Sequence, residues 1–175
     1  MNNIIILGAD HNGVAHKRQL ADSLRAEGYV VNAGSKIVFT NGVFDILHTG
    51  HLELLQFSKR LGDRLVVAIN SDASVKSLKG ENRPINNEAN RKKLLESLIE
   101  VDEVIIFDDN LEELRNQIEP NIVVKGGEWT AEQVRERDNI PEDIEIKLFP
   151  LVQDYSTTNT IRKIQNLDGW QKNDF

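Results

Sequence analysis

The chain has 175 residues, and 21 basic against 28 acidic side chains give it a net charge of −7 at pH 7. With 39% hydrophobic residues it can fill a core, and its acidic balance disfavours a broad nucleic-acid-binding face. Cysteine is absent, which excludes a disulfide scaffold, a thiol nucleophile and a Cys-ligated zinc.

In chain order, an apolar run at 3–8 predicts a strand, a helical pattern covers 14–27, and a second strand pattern lies at 29–33. A third strand pattern, 36–40, follows almost at once across Gly34-Ser35. A regular strand–helix–strand rhythm would put a helix between these two strands. The seam therefore predicts a β-α-β appendage over 1–35, a main domain over 36–167 and a polar tail over 168–175. Within the main domain, strands are expected at 64–70, 103–107, 122–125 and 144–149. Helices are expected at 50–61, 87–99, 111–118 and 157–166. Most strand patterns are continuously apolar, as in parallel strands covered on both faces. The class expected is α/β, with right-handed crossovers. No apolar run nears the ~20 residues that span a bilayer. The expectation is a cytoplasmic protein with no membrane partner.

The stretch that carries chemistry is Thr40-Asn41-Gly42-Val43-Phe44-Asp45-Ile46-Leu47-His48-Thr49-Gly50-His51. A buried strand ends at Thr40, and a helix begins near Thr49 or Gly50. Amides at a helix start favour anions. Two of the chain's four histidines, His48 and His51, flank Gly50 there. Two imidazoles and free amides around one point suit a polyphosphate whose charge grows during reaction. Other readings of the same residues are a helix cap with a surface histidine, or half a metal site completed by Asp45.

Further along, Lys76 and Lys79 are expected in a loop after a strand, where they can reach phosphate or simply be solvated. Arg91 is expected at a helix start, with an anion partner or a nearby acid such as Glu88. Lys125-Gly126-Gly127 is expected at the carboxyl edge of a sheet, where open α/β sheets bind ligands. Ser156-Thr157-Thr158 precedes a helix as an N-cap.

These residues resemble the cytidylyltransferase-like nucleotidyltransferase superfamily, over nearly all of 36–166. The run 61–76, Leu78-Lys79-Gly80, Arg83-Pro84-Ile85-Asn86, Arg91, Val124-Lys125-Gly126-Gly127-Glu128-Trp129 and Ser156-Thr157-Thr158-Asn159 resemble its heptose-1-phosphate adenylyltransferase branch. The resemblance implies a Rossmann-like parallel sheet with helices on both faces. It implies in-line transfer of a nucleotidyl group from ATP to a sugar 1-phosphate, giving ADP-heptose and pyrophosphate without a covalent enzyme intermediate. His48, His51 and Lys79 would be catalytic. Thr40, Asn41, Gly42, Phe44, Gly50, Asn70, Arg91, Lys125, Gly126, Gly127, Ser156, Thr157 and Thr158 would bind the nucleotide. Asp45 would order the loop rather than act as a base. Mg²⁺ would bridge phosphate oxygens, with no metal held by the protein itself. Relatives of this kind are often homodimers. The alternatives are CTP with glycerol 3-phosphate or a similar phosphoalcohol, and a non-catalytic nucleotide-binding protein.

Four features depart from the branch's usual pattern: Val43 in place of Cys, Glu128 in place of Asp, Trp129 in place of Tyr, and a highly charged stretch over 130–143. Gly8-Ala9-Asp10-His11-Asn12-Gly13 and the helix and strand patterns after it are similar to the opening of B-type ribose-5-phosphate isomerases. The rest of that domain and its catalytic cysteine are missing, so the expectation is a structural element rather than an isomerase.

Overall fold

The computed structural model describes residues 4–6, 30–32, 36–150 and 156–166. The helix expected at 14–27, the Asp10-His11 pair and the tail at 168–175 lie outside the described residues. The chain divides into two compact units, 1–36 and 37–175. In the first, β1 (Ile4–Ile6) pairs in parallel with β2 (Val30–Asn32).

The second unit is built on β3 (Ile37–Gly42), α1 (Thr49–Lys59), β4 (Arg64–Asn70), α2 (Asp72–Lys79), α3 (Glu88–Glu96), β5 (Glu103–Phe107), α4 (Leu111–Ile118), β6 (Ile122–Gly126), α5 (Ala131–Arg137), β7 (Glu145–Phe149) and α6 (Thr157–Gln165). Its five strands form one parallel sheet in the order β5-β4-β3-β6-β7. This is the expected α/β, Rossmann-like architecture. The chain steps outward from β3 through β4 to β5, then crosses over to β6 and β7. The topological switch therefore lies between β3 and β6.

Both faces of the sheet are covered, because successive strand residues point to opposite sides. Val38, Leu65, Val67, Ile69 and Val124 share one core cluster with Leu54 and Leu55 of α1 and Leu95 of α3. Phe39, Val66, Ala68 and Val123 share the other with Leu114 of α4 and Val134 of α5. Leu65 to Ile69 are all fully buried, which explains the unbroken apolar run in β4. Each large side chain buried in this way contributes about 1.5–3 kcal/mol.

Two helices depart from the sequence expectation. Lys76 and Lys79 lie on α2, not in a loop. Ser71 caps this helix by accepting from the Ser74 amide. The charged run after Trp129 forms α5, closed at its start by reciprocal hydrogen bonds between Thr130 and Gln133. Both helices are short and bury few residues, Ser74 and Val75 in α2 and Val134 in α5, so their apolar periodicity is faint. Among the described residues, no helix is long and apolar enough to cross a membrane.

Candidate active site

Open parallel sheets bind ligands at the carboxyl ends of the strands beside the topological switch. Here that point is where β3 ends at Asn41-Gly42 and β6 ends at Gly126, and a cavity of about 300 Å³ opens there. Its lining brings together Asn41, Gly42, Phe44, Gly50, His48, His51, Lys79, Gly126, Ser156, Thr157 and Thr158. Asp45 and Arg83 also line it.

The loop from β3 to α1 aims the two histidines. Phe44 is buried at φ 50, a left-handed conformation that costs strain in a residue with a Cβ. Its ring lies 5.0 Å from that of His51. His51 in turn stacks on His48, with ring centroids 3.7 Å apart and planes 19° apart. The His48 carbonyl accepts the first helical hydrogen bonds, from His51 N–H at 2.9 Å and Leu52 N–H at 3.2 Å. Among the described residues, no side-chain capping hydrogen bond closes this helix start. Nδ1 of His51 is buried and has no hydrogen-bond partner among the described residues.

Burial, together with the neighbouring His48 and Lys79, pushes the His51 imidazole down to about 4. Burial also lowers His48. Stacked rings this close cannot both be charged cheaply, so His51 is a neutral imidazole at pH 7. The folded value lies below the ordinary 6.5, so the unfolded chain binds more protons between pH 4 and 6.5. Stability from this group is complete above about pH 6.5 and is lost as the pH falls toward 4. The urea midpoint is therefore expected to fall between pH 7 and pH 5, and to fall less in His51→Gln. An equal fall in both proteins would reject this assignment.

Asp45 knits two loops together. Its carboxylate accepts from Ile85 N–H at 2.9 Å, Asn86 N–H at 2.8 Å and Arg83 Nε at 2.8 Å. Burial alone would raise its pKa, but these hydrogen bonds and the Arg83 charge outweigh it and hold the carboxyl below its usual range. The loop-ordering role read for Asp45 matches this geometry. Arg83 is thereby fixed at the cavity wall beside Lys79. Burial, and secondarily Arg83, holds the Lys79 ammonium below its ordinary range. Arg83 was not among the residues expected from sequence to touch the ligand. Its fixing partner lies 38 positions away, and no local spacing signals it.

Five expected contact residues do not line the cavity. Thr40 is fully buried, and its hydroxyl donates to the Val124 carbonyl at 3.0 Å. Asn70 donates to the Ser74 hydroxyl at 3.1 Å. Arg91 is 1% exposed and spends its guanidinium on Asp72 (2.7 Å), Val43 O (2.8 Å) and Asn86 O (2.9 Å). A nearby acid, the second sequence reading for Arg91, is what the fold supplies. Lys125 is buried against Asp138 and Asn41. Gly127 serves the turn: its φ is 131, and a Cβ there would sit 2.7 Å from Trp129 Nε1.

The remaining lining is rich in donors: two helix starts, two cations, two imidazoles, a carboxamide and hydroxyls. Its carboxylate, Asp45, is already neutralised. Such a lining favours a polyanion. It does not fit a metal held by the protein, since Asp45 is occupied and no three His, Cys, Asp or Glu converge among the described residues. A second depression, along α4, is lined by Asn110, Glu112, Glu113, Asn116 and Gln117, and its carboxylates would repel phosphate.

The family model described as Cytidylyltransferase-like matches residues 39–164, which contain the switch point, both histidines and the Ser156-Thr157-Thr158 cap. The chain is similar to the bifunctional protein HldE of Aliarcobacter butzleri (strain RM4018), with 43% identity over 88% of this chain and 32% of the relative. It is also similar to the bifunctional protein HldE of Marinomonas sp. (strain MWYL1), with 48% identity over 74% of this chain and 28% of that relative. The chain thus spans about a third of the length of the curated relatives it matches. Among solved structures, the lipopolysaccharide core biosynthesis protein from Thermoplasma volcanium GSS1 superposes with a TM-score of 0.58 at 30% identity, over 70% of this chain and 100% of that one. With the family match running through the sheet, the histidine pair and α6, the chain belongs to the cytidylyltransferase-like family.

Proposed function

We propose that the chain transfers an adenylyl group from ATP to a heptose 1-phosphate, giving ADP-heptose and pyrophosphate. The observation that supports this most is the stacked His48–His51 pair at the start of α1, set in a donor-lined cavity at the switch point. A phosphate oxygen of the acceptor forms a bond to the α-phosphorus. The bond from that phosphorus to the bridging oxygen breaks, and pyrophosphate leaves with the electron pair. The attacking phosphate is already ionised, so no general base is needed. The protein's work is alignment and charge stabilisation.

In this reading His48 and His51 hold the α- and β-phosphates. A neutral His51 offers an N–H that strengthens as charge grows on the leaving group. Lys79 and Arg83 neutralise the outer phosphates, and the Thr157-Thr158 end of α6 faces the same chain of anions. Mg²⁺ is proposed to arrive with the nucleotide, held by phosphate oxygens. The heptose branch is favoured over the glycerol-phosphate one by Arg83-Pro84-Ile85-Asn86 and Lys125-Gly126-Gly127, and by the similarity to the HldE proteins.

Pyrophosphate release tests this. Purified protein with Mg²⁺ is given ATP or CTP, each against a panel of sugar 1-phosphates and phosphoalcohols. Release is expected with ATP and D-glycero-D-manno-heptose 1-phosphate. Faster release with CTP and glycerol 3-phosphate would overturn the substrate assignment and keep the chemistry. No release with any pair would overturn both.

A further inference from the structure

The stretch 130–143 departs from the family pattern, and nothing in the transfer mechanism uses it. One carboxylate ties it to the cavity. Asp138 ends α5. Its N–H donates to Val134 O at 3.0 Å, and its carbonyl accepts from Nη1 of the buried Arg115 at 2.6 Å. The main chain at Asp138 is thus held from two sides. Its side chain receives Arg137, with Nε at 2.7 Å from Oδ1 and Nη2 at 3.0 Å from Oδ2, and also Lys125, with Nζ at 2.9 Å from Oδ2. The Lys125 and Asp138 side chains are 9% and 11% exposed. The same carboxylate steadies Arg137 over the Trp129 ring, 4.4 Å from its centroid.

Lys125 then reaches the site. Its Nζ donates to Oδ1 of Asn41, the cavity residue at the end of β3. An ammonium has three donors and no acceptor. The contact therefore decides which way the Asn41 carboxamide lies: its oxygen is taken by Lys125, and its two N–H donors are left over. The opposite orientation would turn a carbonyl oxygen toward incoming phosphate.

We propose that Asp138 is a positioning residue for nucleotide binding, holding Lys125 so that Asn41 keeps its N–H donors available to the phosphates. This rests on the nucleotidyl-transfer reading above. Without Asp138, Lys125 is a buried cation left with a neutral partner. Loss of its proton then becomes easier. A neutral amine can accept a hydrogen bond as well as donate one, so the carboxamide is no longer held one way round.

The test is calorimetric titration of the full chain with ATP and with CTP. The proteins are the wild type, Asn41→Ala, Asp138→Ala, Asp138→Asn and the Asn41→Ala/Asp138→Ala double variant, with folding checked by thermal unfolding. Asn41→Ala and Asp138→Ala are each expected to weaken nucleotide binding about tenfold, the loss of one hydrogen bond to a charged group. The double variant is expected to bind no more weakly than Asn41→Ala, because both changes remove the same contact. Asp138→Asn, whose oxygen still accepts from Lys125 but carries no charge, is expected to bind with an affinity between those of Asp138→Ala and the wild type. Losses that multiply to about a hundredfold in the double variant would overturn the proposal.

A ligand-free readout is the side-chain amide resonance pair of Asn41. It is expected to shift in Asp138→Ala and to shift less in Asp138→Asn, and an unmoved pair in Asp138→Ala would overturn the proposal. A wild type that binds neither nucleotide would count against nucleotidyl transfer itself, while the resonance pair still decides the carboxamide orientation.

Discussion

His51→Ala is expected to lower kcat by about 10²- to 10³-fold while leaving the protein folded at pH 7. The expectation rests on where the ring sits. His51 is stacked against His48, braced by Phe44 and half-buried, so its position is set before any ligand arrives. Its pKa, lowered to about 4, keeps it neutral across the working range. It therefore acts as a fixed dipole facing growing charge, the kind of group whose removal slows the chemical step. The nucleotide KM is expected to change less than kcat, because the interaction strengthens in the transition state. The folded protein gives up little, since the ring is a desolvated polar group whose Nδ1 has no hydrogen-bond partner among the described residues. Below pH 6 the variant is expected to be relatively more stable than the wild type, because the proton-linked penalty is gone. Full turnover in His51→Ala, measured by pyrophosphate release, would reject the mechanism.

Arg91→Ala is expected to lose about 3–5 kcal/mol of unfolding free energy. The Arg91 side chain is wholly buried, yet its guanidinium touches three separate pieces of chain: Asp72 at the start of α2, Val43 O in the histidine loop, and Asn86 O before α3. Truncation leaves a carboxylate and two carbonyls without this partner, and opens a void the size of the side chain. Arg91→Lys is expected to recover little, because one ammonium cannot reproduce a planar fork across three acceptors. Urea denaturation reads the loss. An Arg91→Lys protein of full stability but weakened ATP binding would return Arg91 to the nucleotide-contacting set.

The two halves of the candidate site differ in how far they could be read from the residues alone. The histidine loop is contiguous. Asn41 through His51 pass from a strand end to a helix start, and most of them line the cavity. Ser156-Thr157-Thr158 is legible for the same reason, as a helix cap. The cap of α5 was equally local, a Thr130-x-x-Gln133 pair, but the charge of that run hid it. Most strands were legible because both faces of the sheet are covered, so they show as largely unbroken apolar runs.

Arg91 and Lys125 read as phosphate ligands because a cation near a helix start or a sheet edge has that use. Their burial reverses the reading. A buried cation needs its acids and carbonyls first, and Asp72 and Asp138 claim them.

Sequence alone determined the α/β class, the five strands and four of the six helices of 37–166, and the histidine loop, because each is a pattern in neighbouring residues. Only the tertiary structure decided which charges face the cavity and which hold it together. The partnerships of Asp45 with Arg83, Lys125 with Asn41 and Lys125 with Asp138 span 38, 84 and 13 positions. Such pairs follow no period, and they exist only where packing brings the two residues out of water together.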